Sequence, residues 1–181
     1  YEYEHSTPIK FSSSCINVST KSQGIIENNK LPKGSNISIF SIQHPENTTI
    51  NLWEPILFDN IKGISNFNGD IEYNNTYYFP DKEQLDFFAI YPFLSFPTIG
   101  SDYGNTQYTT VTLKDNTVDQ YDLMYASLLN QSKKSSVLVF EFHHLLTQIT
   151  INIIKNTGVT IDLPLTKVQI VAPQSATLDI W

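Results

Sequence analysis

The chain has 181 residues, 40% hydrophobic and 13% aromatic, enough for one sizeable core and one domain plus the start of another. Only 16% of residues are charged, so Ser, Thr, Asn and Gln must build much of the polar surface, as in many secreted β-proteins. A net charge of -7 without any Lys/Arg block excludes nucleic acid and anionic membrane surfaces as partners, and a single cysteine, Cys15, excludes an intrachain disulfide and a Cys-rich zinc site. No apolar run reaches the roughly 18 residues of a membrane helix. The start, "YEYEHSTP", has neither an initiator Met nor a signal segment, and reads as a mature or engineered start with a targeting segment removed.

Residues 1–8 are polar and read as a flexible leader. "IKFSSSCINVS" (Ile9 to Ser19) alternates as a first strand, with a break in parity near Cys15. A loop closing on a Pro/Gly turn leads to "NISIFSI" (Asn36 to Ile42), a second strand with Ile37, Ile39 and Ser41 on one face. The next twenty residues are weakly patterned and predict irregular structure with short strands. Asn68-Gly69 is a turn signal; "IEY", "TYYF" and "LDFFAIY" follow as strand-like runs stopped by Pro80 and Pro92. "QYTTVTL" (Gln107 to Leu113) alternates cleanly. "YDLMYASLL" (Tyr121 to Leu129) is the best helical fragment, with Asp122 as its cap and Met124 and Tyr125 docking on the sheets, though it is too short to stand alone. Further strands are expected at Lys167 to Ala172 and Ala176 to Trp181. Short strands at about ten-residue spacing predict an antiparallel β-sandwich of about seven strands with one short helical turn.

The most apolar run, "VLVFEFHHLLTQITINI" (Val137 to Ile153), carries two adjacent histidines. Neighbouring residues of a strand point to opposite faces, so His143 and His144 cannot share one metal ion. Phe140, Phe142 and His144 form an even-numbered set, whereas Ile149, Ile151 and Ile153 are odd. A kink must therefore separate strands at about Ser136 to His144 and Thr147 to Lys155. His144 is expected to be a buried or half-buried structural ring hydrogen-bonded at this corner. His5 and His44 read as distant and loop-borne, so no metal set forms and no cofactor is implied. With no nucleophile elbow, P-loop or zinc-protease helix, the chain does not read as an enzyme.

"YYFP", "LDFFAIYPF", "DLMYA" and "FHHLLTQITINI", in this order and spacing, resemble the fimbrillin-like family, the type V pilus subunits of Bacteroidales. The matching positions are Tyr78, Phe79 and Pro80; Phe88, Ala89, Tyr91 and Pro92; Asp122 to Ala126, including Tyr125; and Phe142, His144, Leu146 and Gln148. Phe79 stands where Trp is commoner. The resemblance implies a transthyretin-like Greek-key sandwich over residues 9–181, forming an N-terminal domain whose C-terminal companion is absent from this chain. It implies an outer-membrane lipoprotein that becomes a subunit of a cell-surface fimbrium. Its partners would be other pilus subunits, engaged by strand exchange, and host glycan or protein.

In that family a trypsin-like cut after the first strand opens a groove for a donor strand. The corresponding cut here falls at Lys21, where the family commonly has Arg; Lys21 also reads as an ordinary solvated loop residue. Ile9, Phe11, Ile16 and Val18 are the candidate groove fillers. The tyrosines Tyr73, Tyr77, Tyr78, Tyr103, Tyr108 and Tyr121 read as sheet-face packing or as sugar-stacking rings of a non-polymerising adhesin.

Overall fold

Alternating apolar residues and polar turns build nine strands among the described residues: β1 (Phe11–Cys15), β2 (Asn36–Pro45), β3 (Ile61–Ser65), β4 (Asp70–Glu72), β5 (Glu83–Tyr91), β6 (Tyr108–Thr112), β7 (Met124–Gln131), β8 (Leu138–His144) and β9 (Ser175–Asp179). The computed structural model describes residues 7–15, 29–46, 48, 57–95, 108–114, 121–133, 137–146, 151–154, 158, 164, 166–171 and 173–179. Seven strands close in the order β1-β4-β3-β2-β5-β7-β8, and β6 and β9 form a separate antiparallel ribbon.

The described residues are all-β, as expected, but seven of the nine strands close into one ring. Every pair in that ring is antiparallel except β8 with β1, which is parallel. The ring is uneven. β2–β5 registers eight pairs, β5–β7 six and β1–β8 five. β1–β4, β3–β4 and β7–β8 register only two each.

β2 and β5 lack the in/out polarity of a half-exposed strand because both of their faces are covered. Ile37, Ile39, Leu85, Phe87 and Ala89 enter the ring's interior with Phe11, Phe58, Met124, Leu138, Phe140 and Phe142. Phe40, Ile42, Phe88 and Ile90 form a second apolar cluster with Val111 of β6 and Leu123, against which Leu178 of β9 packs. The serines of β2 staple flanking segments: Ser41 Oγ accepts the Phe58 N–H at 3.0 Å, and Ser38 Oγ accepts that of Leu94 at 3.0 Å.

Asn68-Gly69 is the turn between β3 and β4. Asn66 Oδ1 accepts the N–H groups of Asn68 (2.9 Å) and Asp70 (3.0 Å), and Gly69 has φ +81°. Only glycine adopts this conformation without strain, and an added Cβ would lie 2.7 Å from Lys30 Cδ.

Several expectations are corrected. Tyr121 to Leu129 is not helical: Met124–Gln131 is strand β7, and no helix occurs among the described residues. Met124 and Ala126 alternate inward, and pairing with β5 supplies backbone partners that a nine-residue helix would need packing to retain. "TYYF" is not a strand; Tyr78 makes one isolated bridge to Pro8. Residues 151–154 and 167–171 carry no strand, and Ile151, Ile153, Ile154, Val168, Ile170 and Val171 are exposed. An apolar alternation becomes a strand only where a neighbouring edge accepts its ladder. The irregularity expected near Cys15 falls partly outside the described residues; a bulge instead lies in β5–β7 between Leu85 and Phe87.

Candidate functional site

β1 has the pattern Phe-Ser-Ser-Ser-Cys, and its pleat sends Phe11, Ser13 and Cys15 inward with Ile9 just ahead. Ile9 is 2% exposed, Phe11 1%, Ser13 3% and Cys15 3%. On one side β1 has a continuous neighbour, β8, in register from Phe11↔Leu138 to Cys15↔Phe142, and the Leu138 N–H donates to Lys10 O at 2.9 Å. The other side is a patchwork. Ile9 N–H donates to Tyr77 O, and Phe11 and Ser12 register with Ile71 and Asp70 of β4. Ser13 N–H donates to Gly69 O and Cys15 N–H to Asn29 O, each at 2.8 Å.

Phe11 is the centre of an aromatic cluster. Its ring stacks on Phe140 at 4.9 Å and meets Phe87 and Phe58 edge-on at 5.0 and 5.8 Å. Tyr73 is tilted against it at 5.8 Å, and the Tyr73 hydroxyl donates to the Ile9 carbonyl. Burial, and secondarily Tyr77, push the Tyr73 phenol up to about 12, so it remains a donor.

Ser13 adds a polar point to this apolar groove. Its Oγ donates to Gly69 O at 3.0 Å and accepts the Leu31 N–H at 3.3 Å. Ser65 Oγ donates to Leu31 O at 3.1 Å, so two serine hydroxyls serve the two polar groups of buried Leu31. At Cys15, burial and then Asp122 push the thiol up to about 11, keeping it protonated and a poor nucleophile.

At one end of the ring, His144 Nδ1 lies 2.6 Å from Asp122 Oδ2, both half-buried. His143 is exposed, and the registers Met124↔His144 and Tyr125↔His143 put the two rings on opposite faces. Asp122 is thus the histidine's partner at the entry to β7. Nearby Tyr91 has its phenol raised, chiefly by burial and then by Asp122, with a hydrogen bond to Ser35 opposing. No group of three potential metal ligands occurs among the described residues.

The structure divides the other motif residues by role. Phe79, Ala89 and Phe142 lie in the interior core, and Tyr125 packs on the second cluster. Pro80 is partly buried, and Pro92 follows β5 through a cis peptide bond. Lys21, Ile16 and Val18 lie outside the described residues. Tyr73 and Tyr77 pack on the core and Tyr121 on the second cluster, whereas Tyr78 is 47% exposed. Tyr103 and the side chain of Tyr108 lie outside the described residues.

Sequence reasoning missed two polar arrangements. His44 is not loop-borne: it sits in β2, buried, with Nε2 3.2 Å from Asp86 Oδ1 and Nδ1 2.9 Å from Pro45 O. Asp86 also accepts the Asn130 N–H at 2.5 Å. The period-two continuation Phe40, Ile42, His44 could have signalled the burial. Nothing local could have signalled that Ser13 meets Leu31 and Gly69, 18 and 56 residues away.

The sequence profile of the fimbrillin-like family matches residues 20–181. The chain belongs to the fimbrillin-like family. β1 precedes the matched span of this fimbrillin-like chain. A search of curated proteins gave no match. Among solved structures, a candidate cell adhesion protein from Bacteroides ovatus ATCC 8483 is similar, with 13% sequence identity and a TM-score of 0.46. The similarity covers 77% of this chain and 52% of that one, so this fimbrillin-like chain spans about half of its neighbour's length.

Proposed function

We propose that this chain is a structural or adhesive subunit of a cell-surface pilus, assembled by strand donation into the groove that β1 occupies. The observation that carries this reading is the placement of β1. It puts Ile9 and Phe11 into the middle of the core, yet it has a continuous neighbouring strand on one side only. Fully burying such side chains contributes about 1.5–3 kcal/mol each. An emptied groove would expose that apolar lining together with the facing edge of β8, so the vacancy favours capture of another strand. Strand donation between pilins is an established instance of this mode.

The finer points belong to the same proposal. The long ladders are the two layers of a transthyretin-like Greek-key sandwich, and the two-pair seams are its corners. Residues 9–181 form the N-terminal domain after a short leader. The protein reaches the outer membrane as a lipoprotein, and its work is structural, without a catalytic step. Cleavage after Lys21 frees β1, with Ile9, Phe11, Ile16 and Val18 as the departing side chains.

Limited trypsin digestion tests the reading, with cleavage sites mapped by mass spectrometry. Early cleavage at Lys21, followed by release of β1 when a competing strand is added, is the expected result. Cleavage confined to sites far from Lys21 refutes the processing step. Glycan-array binding by the intact chain, with no strand uptake after cleavage, would make the protein a non-polymerising surface adhesin instead.

A further inference from the structure

We propose that the groove selects its donor by a hydroxyl group: the incoming strand must place a Ser or Thr where Ser13 stands, two positions from the large residue that replaces Phe11. This rests on the strand-exchange reading and specifies the partner: a β-segment of another subunit whose inward residues run large apolar, aromatic, hydroxyl, small, after Ile9, Phe11, Ser13 and Cys15.

The reason lies in the groove wall. Leu31 is 2% exposed, and its backbone has two polar groups to satisfy. Its carbonyl accepts from Ser65 Oγ, which belongs to β3 and stays when β1 departs. Its N–H donates to Ser13 Oγ, which departs with β1. The Gly69 carbonyl receives both the N–H and the hydroxyl of Ser13, at 2.8 and 3.0 Å. Any donor backbone can supply an N–H to Gly69, but only a side-chain oxygen can accept from Leu31 at that point. A donor with Ala or Val there strands a buried N–H, whose cost exceeds the gain from a normal hydrogen bond. Elsewhere the groove is lined by Phe58, Phe87 and Phe140 and asks only for apolar volume. The hydroxyl position therefore fixes the register of the donor, because a slip of two residues brings an apolar side chain to the Leu31 N–H.

The test uses the full chain cut at Lys21, or at a protease site introduced within residues 20–28. Fluorescent peptides spanning Thr7 to Val18 are titrated against it, with Ser13 retained or changed by Ser13→Thr, Ser13→Ala or Ser13→Val. Thr and Val match in shape, so that pair isolates the oxygen. The Ser and Thr peptides are expected to bind within a few-fold of each other, and the Ala and Val peptides about tenfold or more weakly. Hydrogen exchange of the Leu31 amide should be slow with the Ser and Thr peptides and faster with the other two. If all four bind alike, or Val matches Thr, the hydroxyl requirement is wrong while strand exchange stands. If none binds, including the native Ser13 sequence, the strand-exchange reading falls, and this inference with it.

Discussion

Replacing Phe11 with alanine should unfold this protein more readily than any other single change in β1. The ring is 1% exposed and touches four other rings, those of Phe140, Phe87, Phe58 and Tyr73, at centroid distances of 4.9 to 5.8 Å. Truncation loses the transfer free energy of the ring and leaves a cavity between aromatic side chains that cannot readily collapse. For a fully buried Phe this amounts to about 3–5 kcal/mol. That is a large share of the roughly 5–15 kcal/mol by which a domain is stable. Urea denaturation followed by tryptophan fluorescence measures it: with a slope near 2 kcal/mol/M, the midpoint should fall by about 2 M with the slope unchanged. Ser12→Ala, on the outward face of the same strand, should stay within about 0.5 kcal/mol. A Phe11→Ala cost below about 1 kcal/mol would refute the argument, because β1 would then not be filling the core.

Two further outcomes follow from the buried polar groups. His44→Ala should destabilise the chain by about 1–3 kcal/mol, since it removes a buried ring beside the Asp86 carboxylate and leaves that carboxylate with the Asn130 N–H. The same substitution in an Asp86→Asn background should cost clearly less, and equal costs in a double-mutant cycle would show the pair to be uncoupled. Cys15 makes stability fall at alkaline pH. Its folded thiol titrates at about 11 against an ordinary 9.0, so above pH 9 the folded chain keeps a proton that the unfolded chain releases. This contribution is fully present below pH 9 and is lost as pH rises through 11. Tyr73, at about 12 against 10.0, adds a decline of the same sign at higher pH. Cys15→Ala should flatten the segment between pH 9 and 11 in a series of urea midpoints; an unchanged slope would contradict the assignment.

Particular elements show how far local pattern carried. β1, β6 and β8 each show the alternation that names a strand, β2 and β9 read as strands without a clean one, and Asn68-Gly69 names its turn. The opposed orientation of His143 and His144 follows from the pleat alone, and the structure adds that the second ring's partner is Asp122. β7 misled because Met-Tyr-Ala-Ser-Leu-Leu is rich in good helix formers, and its fate was decided by the edge of β5. The runs at 151–154 and 167–171 have strand composition and stay outside any ladder.

The amino-acid order by itself determined which side chains share a face, where the chain turns and to which family it belongs, because those properties reside in neighbouring residues. Tertiary structure alone decided that β1 lies parallel to β8, that both faces of β2 and β5 are covered, that His44 meets Asp86, and that one serine hydroxyl closes the shell of Leu31. Each depends on backbone edges and polar atoms distant in the chain coming within reach. A period-two pattern says which side of a strand is apolar, but not which strand will lie beside it.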